Sequence, residues 1–358
     1  MNRITAGLCL VLCLVLSIQN GYPRDRTLST EEKTQLTHVD TVRIQAIALT
    51  EKGTASTQEI LQVVSQRLQE LGFTTHDDPK APYHVVVKVK CEERKTRIGP
   101  SRYGGDADSL HAPSRSWRGP ACQITYGLDG QDTAWRKEVR TEFNNARRAA
   151  RAAKIQDSGQ YAITALTKIL ERDNFPYLLA AEWGQANRLS QILEKPETPQ
   201  ALKLQIISLL GEITEAEVLP SLKRALQDPS LAPSAAMAIG RQGEQATEVL
   251  LTVLQTAKDS NLKVSAVNGL GEIATHHSQA PVFTPFITAL QEPTTELPVQ
   301  TAIVMALGKL ADQRAVEPLT ELNRKAWTDS SRDIEMQKLR DALSWSLWQL
   351  NPDAHAGE

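Results

Sequence analysis

The sequence predicts a multidomain protein, with a small N-terminal α+β domain followed by an all-α solenoid of antiparallel helix pairs. Three observations carry that expectation. Strand-like alternation is confined to the first 143 residues. Beyond them, four Gly residues, each preceded by Leu or Ile, close four similar helical segments: Leu210-Gly211, Ile239-Gly240, Leu270-Gly271 and Leu307-Gly308. Their intervals are 29, 31 and 37 residues, a period that marks stacked supersecondary units. The aromatic fraction is only 5%, which suits helices packed by Leu, Ile, Val and Ala.

Residues 1–21 read as a secretory signal peptide. Arg3 supplies a positive start, an apolar run extends from Ala6 to Ile18, and Gln19-Asn20 follow. The run is short for a membrane span, which needs about 20 residues. An uncleaved N-terminal anchor is the alternative. The expected location is therefore the periplasm or cell envelope. Two of the four cysteines, Cys9 and Cys13, fall in this leader. The remaining pair, Cys91 and Cys122, is expected to form a disulfide in an oxidising compartment, with two buried free thiols as the alternative.

The α+β domain is expected over 27–143. Thr41–Leu49 has strand character. Ser56 or Thr57 caps a helix carrying Ile60, Val63, Val64, Leu68 and Leu71, and Gly72 ends it. His84–Lys90 and Cys122–Leu128 alternate as half-buried strands. Asp129-Gly130 signals a turn, and Trp135–Phe143 returns as the other arm of a hairpin. The order β-α-β-β-β suggests one helix on an antiparallel sheet.

A structureless loop is expected over 92–121. It carries Arg94, Lys95, Arg97, Arg102, Arg115 and Arg118 with Tyr103 and Trp117. Interleaved cations and aromatics are suited to an anionic polymer or lipid head groups. A solvated loop with no ligand is the competing reading, and Asp106 and Asp108 dilute the positive field. The Ala- and Arg-rich segment 144–157 reads as a linker.

Residues 158–351 read as helix pairs, and 352–358 as a tail. The first helix of a pair recurs as Val218-Leu219-Pro220-Ser221-Leu222, Val249-Leu250, Val282–Ile287 and Ala315-Val316-Glu317-Pro318-Leu319. Pro near a helix start costs little, because its missing N–H has no intrahelical partner there. Asp228-Pro229, Asp259-Ser260 and Glu292-Pro293 break the chain between helices. Together with the Leu-Gly-x-Ile ends, these features resemble HEAT repeats, in particular the short HEAT-like repeats named after phycobilisome lyases. The resemblance is clear over about 200–350 and weaker for Phe175–Lys195. It implies a protein-binding architecture whose second helices line a concave groove.

Counting back from each Gly separates two stripes of the second helix. Leu202/Ile206/Leu210, Leu231/Ala235/Ile239, Leu262/Ala266/Leu270 and Val299/Ile303/Leu307 share a core stripe. The opposite stripe holds Gln205/Ser208/Glu212, Ser234/Met237/Arg241, Ser265/Asn268/Glu272 and Ala302/Met305/Lys309. Following the resemblance, Gln205, Ser208, Glu212, Met237, Arg241, Asn268, Glu272, Met305 and Lys309 are the candidate partner-binding residues. The competing reading is a row of ordinary exposed positions. Trp345, Trp348 and Leu350 are expected to cap the stack.

No catalytic constellation emerges. The chain lacks a phosphate-cradling Gly-Lys loop and a nucleophile elbow. His276-His277 are adjacent and point apart, so they make a poor chelate. HEAT-like hydroxylases that resemble deoxyhypusine hydroxylase bind iron through His-Glu pairs, and no His-Glu dipeptide occurs here. Net charge is -2, without the basic balance that nucleic-acid binding favours. The expectation is an exported, cofactor-free and metal-free scaffold that binds a protein. The alternative is a module that grips an envelope polymer or anionic lipid through the basic loop.

Overall fold

The computed structural model describes residues 28–78, 85–97, 117–213, 217–277 and 281–351. The first described element is α1 (Thr30–Thr37), a helix without strand-like alternation or a marked apolar stripe. Its signature is local: Ser29 and Glu32 form a reciprocal capping box, and Leu36 is buried. Then come β1 (Thr41–Thr50), the short β2 (Gly53–Thr54), α2 (Gln58–Gln69), the short β3 (Thr74–His76), β4 (Val85–Arg97), β5 (Trp117–Leu128) and β6 (Gln131–Arg140).

The sheet order is β2-β1-β4-β5-β6, with β3 also on β1. β1 runs parallel to β4 and to β3, whereas β4, β5 and β6 are antiparallel neighbours. The expected all-antiparallel sheet is thus corrected to a mixed one. The physical reason is α2: a helix between two strands of one sheet returns the chain to the same end, which makes the strands parallel.

The expected 92–121 loop is also shorter than read. Its flanks, 92–97 and 117–121, continue β4 and β5 as paired strands, with an irregularity between Glu92 and Lys95. The charged run Glu92-Glu93-Arg94-Lys95 masks the alternation there. Cys91 and Cys122 face each other across β4 and β5 and form a disulfide, both fully buried. This cross-link spans 31 residues of sequence and restricts the unfolded chain, worth about 3–4 kcal/mol in the loop-entropy account.

After the sheet come α3 (Ala146–Ala152), α4 (Ser158–Leu170), α5 (Phe175–Glu182), α6 (Ala186–Glu194), α7 (Gln200–Glu212), α8 (Val218–Ala225) and α9 (Ala232–Gly240). They are followed by α10 (Thr247–Thr256), α11 (Ser260–His276), α12 (Phe283–Gln291), α13 (Leu297–Leu310), α14 (Val316–Thr328) and α15 (Ile334–Leu350). α4 packs on the sheet beside α2, so the sheet and the helical run share one continuous apolar core. Trp183 sits at the junction, edge-on to Phe73 and Tyr126. Gln185 donates to the carbonyls of Leu36 and Val39, and Arg188 to that of Leu71, tying the ends of α1 and α2 to α6.

The junction also carries a pH response. The Tyr126 hydroxyl donates to Glu182 at 3.1 Å. Burial pushes the Glu182 carboxyl above its ordinary range, and the hydrogen bond from Tyr126 and the charge of Lys33 offset only part of that. Burial raises Asp173 likewise. A carboxyl raised on folding stabilises the native state below its unfolded pKa and loses that contribution as pH rises through the folded value. Glu182→Gln should therefore flatten this loss of stability on the alkaline side of the carboxylate range, read as melting temperature against pH. An unchanged slope would contradict it.

In the helical run, α7, α9, α11, α13 and α15 pack each on the next, while α8, α10, α12 and α14 pack beside them. The four motif glycines do not cap these helices. Gly211, Gly240, Gly271 and Gly308 all lie within helical spans and keep negative φ. They are points of close approach instead. A side chain on Gly211 would meet Ala238, one on Gly240 would meet the Gly269 backbone, one on Gly271 Ala306, and one on Gly308 Ser346. Gly240 is the last residue of α9, and Gly211 and Gly308 lie in the last turns of α7 and α13. The expectation that these glycines close helices is therefore corrected only at Gly271, inside α11. At Gly240 the Gly269 backbone occupies the space of a Cβ.

The register of these contacts is constant. Each Gly meets the residue two before the next helix's Gly, at Ala238, Gly269 and Ala306. Gly308 meets Ser346, so the equivalent of Gly in α15 is Trp348. Trp348 is 49% exposed and Leu350 is buried, so only part of the expected aromatic cap packs inward.

Candidate functional site

The second helices bury one stripe and expose another. Ile206, Leu210, Ala235, Ile239, Ala266, Leu270, Ile303 and Leu307 have no exposed surface, and Leu202 and Leu262 are half-buried. On the opposite stripe Ser208, Glu212, Met237, Arg241, Asn268, Glu272 and Lys309 are exposed, Gln205 and Met305 are half-buried, and Ala302 is buried. The constant Gly register aligns these positions from one helix to the next, so the stripe is a row across α7, α9, α11 and α13.

The residue after each motif Gly is charged, and its sign alternates along the row: Glu212, Arg241, Glu272, Lys309. Among the described residues, Glu212, Arg241 and Lys309 have no ion-pair partner, and Glu272 meets only His276, at 3.5 Å. Some arginines elsewhere are paired, among them Arg188 with Asp40, Arg224 with Glu194 and Arg324 with Glu321. Between α7 and α9 the row opens into a cavity of about 190 Å³ lined by Leu204, Ser208, Ser234, Met237, Ala238 and Arg241. Its floor is apolar and its rim carries hydroxyls and a guanidinium, which suits one small side chain.

Of the second group of sequence-derived candidates, Arg94 is the one whose side-chain environment is described. Arg94 lies 3.6 Å from Glu51, which also pairs with Arg147. Glu51, Glu93, Arg94 and Arg147 line a cavity of about 320 Å³ in which two carboxylates balance two guanidinium groups. Lys95, Arg97, Trp117 and Arg118 belong to the paired ends of β4 and β5. Arg102, Tyr103 and Arg115 lie outside the described residues.

A third feature was not anticipated. A groove of about 620 Å³ runs between α2 and α4, lined by Glu59, Gln66, Arg67, Glu70, Lys168 and Glu171 among others. It exists because both helices lie on the same sheet, and the apolar stripe of α4 alone does not say which surface it will cover. Among the described residues no three His, Cys, Asp or Glu side chains converge as a metal-binding group would require. Among those residues, too, no helix is long and apolar enough to cross a membrane.

A family model described as the PBS lyase HEAT-like repeat matches residues 299–322, from α13 into the Ala-Val-x-Pro-Leu start of α14. Together with the helical C-terminal region, this supports a HEAT-repeat protein. No curated protein matches the chain. Among solved structures it is similar to the crystal structure of an engineered protein, at 18% identity and a TM-score of 0.33, over 59% of this chain and 98% of that one.

Proposed function

We propose that the chain is an exported, non-enzymatic scaffold whose HEAT-like solenoid binds a protein partner through the exposed row of its second helices. The observation that carries this reading is the row itself. Side chains from four successive second helices, α7, α9, α11 and α13, held in fixed register by glycine contacts, present unpaired charge, two methionines and a side-chain-sized cavity on one face. Methionine is adaptable and common on binding surfaces, and unpaired charges on a rigid frame favour a complementary partner. HEAT-like repeats commonly mediate protein interactions, and the single repeat matched at 299–322 lies within this stack. Export rests on the leader-like N-terminus and is supported by the Cys91–Cys122 disulfide.

Asn268, exposed at the middle of the row, gives the direct test. Asn268→Arg should leave the melting temperature within about a degree or two, since an exposed substitution costs under about 0.5 kcal/mol. It should also reduce partner recovery when the tagged protein is isolated from its native host. Undiminished recovery of the same partner would remove the row from the binding surface.

A further inference from the structure

The alternating charges specify more than a face. We infer that the row Glu212, Arg241, Glu272, Lys309 reads an extended partner segment that carries a charge at every third residue, alternately basic and acidic. The inference rests on the reading above that the second-helix face is the binding surface, and names the chemistry of what binds there.

The argument starts from spacing. Helices packed through glycine lie about 8–10 Å apart, so successive rungs of the row repeat at roughly that interval. A polyproline II segment has three residues per turn and rises about 3.1 Å per residue, so side chains three apart point the same way at about 9 Å. The two repeats match. A β-strand does not achieve this, because residues three apart in a strand face opposite sides. An α-helix would need about six residues per rung, and six residues do not return a side chain to the same face.

The constant Gly register is the second support. Because every Gly meets the residue two before the next Gly, the four charges keep to one side of the stack and do not scatter round the helices. The third is the cavity between α7 and α9, lined by Leu204, Ser208, Met237, Ala238 and Arg241. It adjoins the Arg241 rung, and its size admits a proline or alanine side chain beside that charged position. A polyproline II segment also presents little conformational entropy to lose on docking.

The unpaired state of the row argues against an intramolecular role. Neighbouring rungs carry opposite signs and would pair if the stack used them for stability, yet among the described residues Glu212, Arg241 and Lys309 make no ion pair.

The test is a specificity exchange. Two short Pro-rich peptides of identical composition are compared by fluorescence anisotropy. One carries Lys, Asp, Lys, Asp at successive third positions; the other carries Lys, Lys, Asp, Asp. The first matches all four rungs, while the second mismatches two in either chain direction. The full-length protein should prefer the alternating peptide by about tenfold, since two exposed pairs change from attraction to repulsion. The double variant Arg241→Glu/Glu272→Arg converts the row to two acids followed by two bases, and should reverse that preference.

Equal binding of the two peptides, or binding of neither, overturns the inference. A salt-dependent drop in melting temperature of the double variant, with no exchange of preference, would instead assign the charges to the stack. These outcomes leave the scaffold reading standing wherever a photo-crosslinker at Asn268 still captures a protein; loss of those adducts is the separate failure of that reading.

Discussion

Leu270→Asp is expected to abolish the cooperative melt of the helical run. Leu270 is fully buried in α11, on the stripe that faces the packed helices, and belongs to the continuous core. The substitution removes a large apolar side chain and leaves an unpaired carboxylate without water, which costs at least about 4 kcal/mol. Marginal stability makes that decisive: a domain stable by about 5–15 kcal/mol loses much of its margin to one such change. Asn268→Asp, two positions earlier and exposed, adds the same charge and should leave the melt nearly unchanged. Equal behaviour of the two variants would show that the two stripes have been interchanged.

Gly240→Val should be nearly as damaging. A Cβ on Gly240 would collide with the Gly269 Cα and lie 2.9 Å from its carbonyl carbon, so the obstacle is backbone and cannot rotate away. α9 and α11 would have to separate, at a cost of about 3 kcal/mol from overpacking. Gly271→Ala is the informative contrast. Its nearest atom would be the Ala306 Cβ at 3.3 Å, a contact that gives by a small shift. Alanine there also gains about 0.5–1 kcal/mol of helix propensity over glycine, which offsets the strain. Chemical denaturation should thus separate Gly240→Val from Gly271→Ala by well over 2 kcal/mol. Similar stabilities would mean that the glycines are not contact points between helices.

These two experiments touch what the sequence made legible and what it did not. Recurrence of Leu-Gly fixed where the second helices lie, because apolar periodicity survives in every copy. It could not say what each glycine faces, since the partner residue lies 27–38 positions away: Gly211 meets Ala238, and Gly308 meets Ser346. The constant register appears only when those partners are seen. In the α+β region β1, α2 and β4 were each legible, but their periods do not say which strands pair. The strands that extend the β1 side of the sheet, Gly53–Thr54 and Thr74–His76, are too short to show a period.

The candidate site follows the same division. Exposure of Ser208, Asn268 and Glu272 could be read from helical counting, because one stripe must be wet if the other is dry. The alignment of their charges into an alternating row required the register. The cavity beside Met237 required the spacing of α7 and α9. Arg94 was legible as a cation but not as the partner of Glu51, which sits at the far end of β1. The α2–α4 groove escaped because nothing in Ala162, Ile163, Leu166 and Leu170 distinguishes a helix that covers a sheet from one that covers another helix.

The central claim is that the second-helix row holds a protein, and photo-crosslinking in the native host tests it most directly. One probe is placed at Asn268 in the row and a control at Gln255, exposed on α10. The account predicts one dominant protein adduct from Asn268 and none from Gln255. Equal labelling from both positions, or labelling from Gln255 alone, would contradict it.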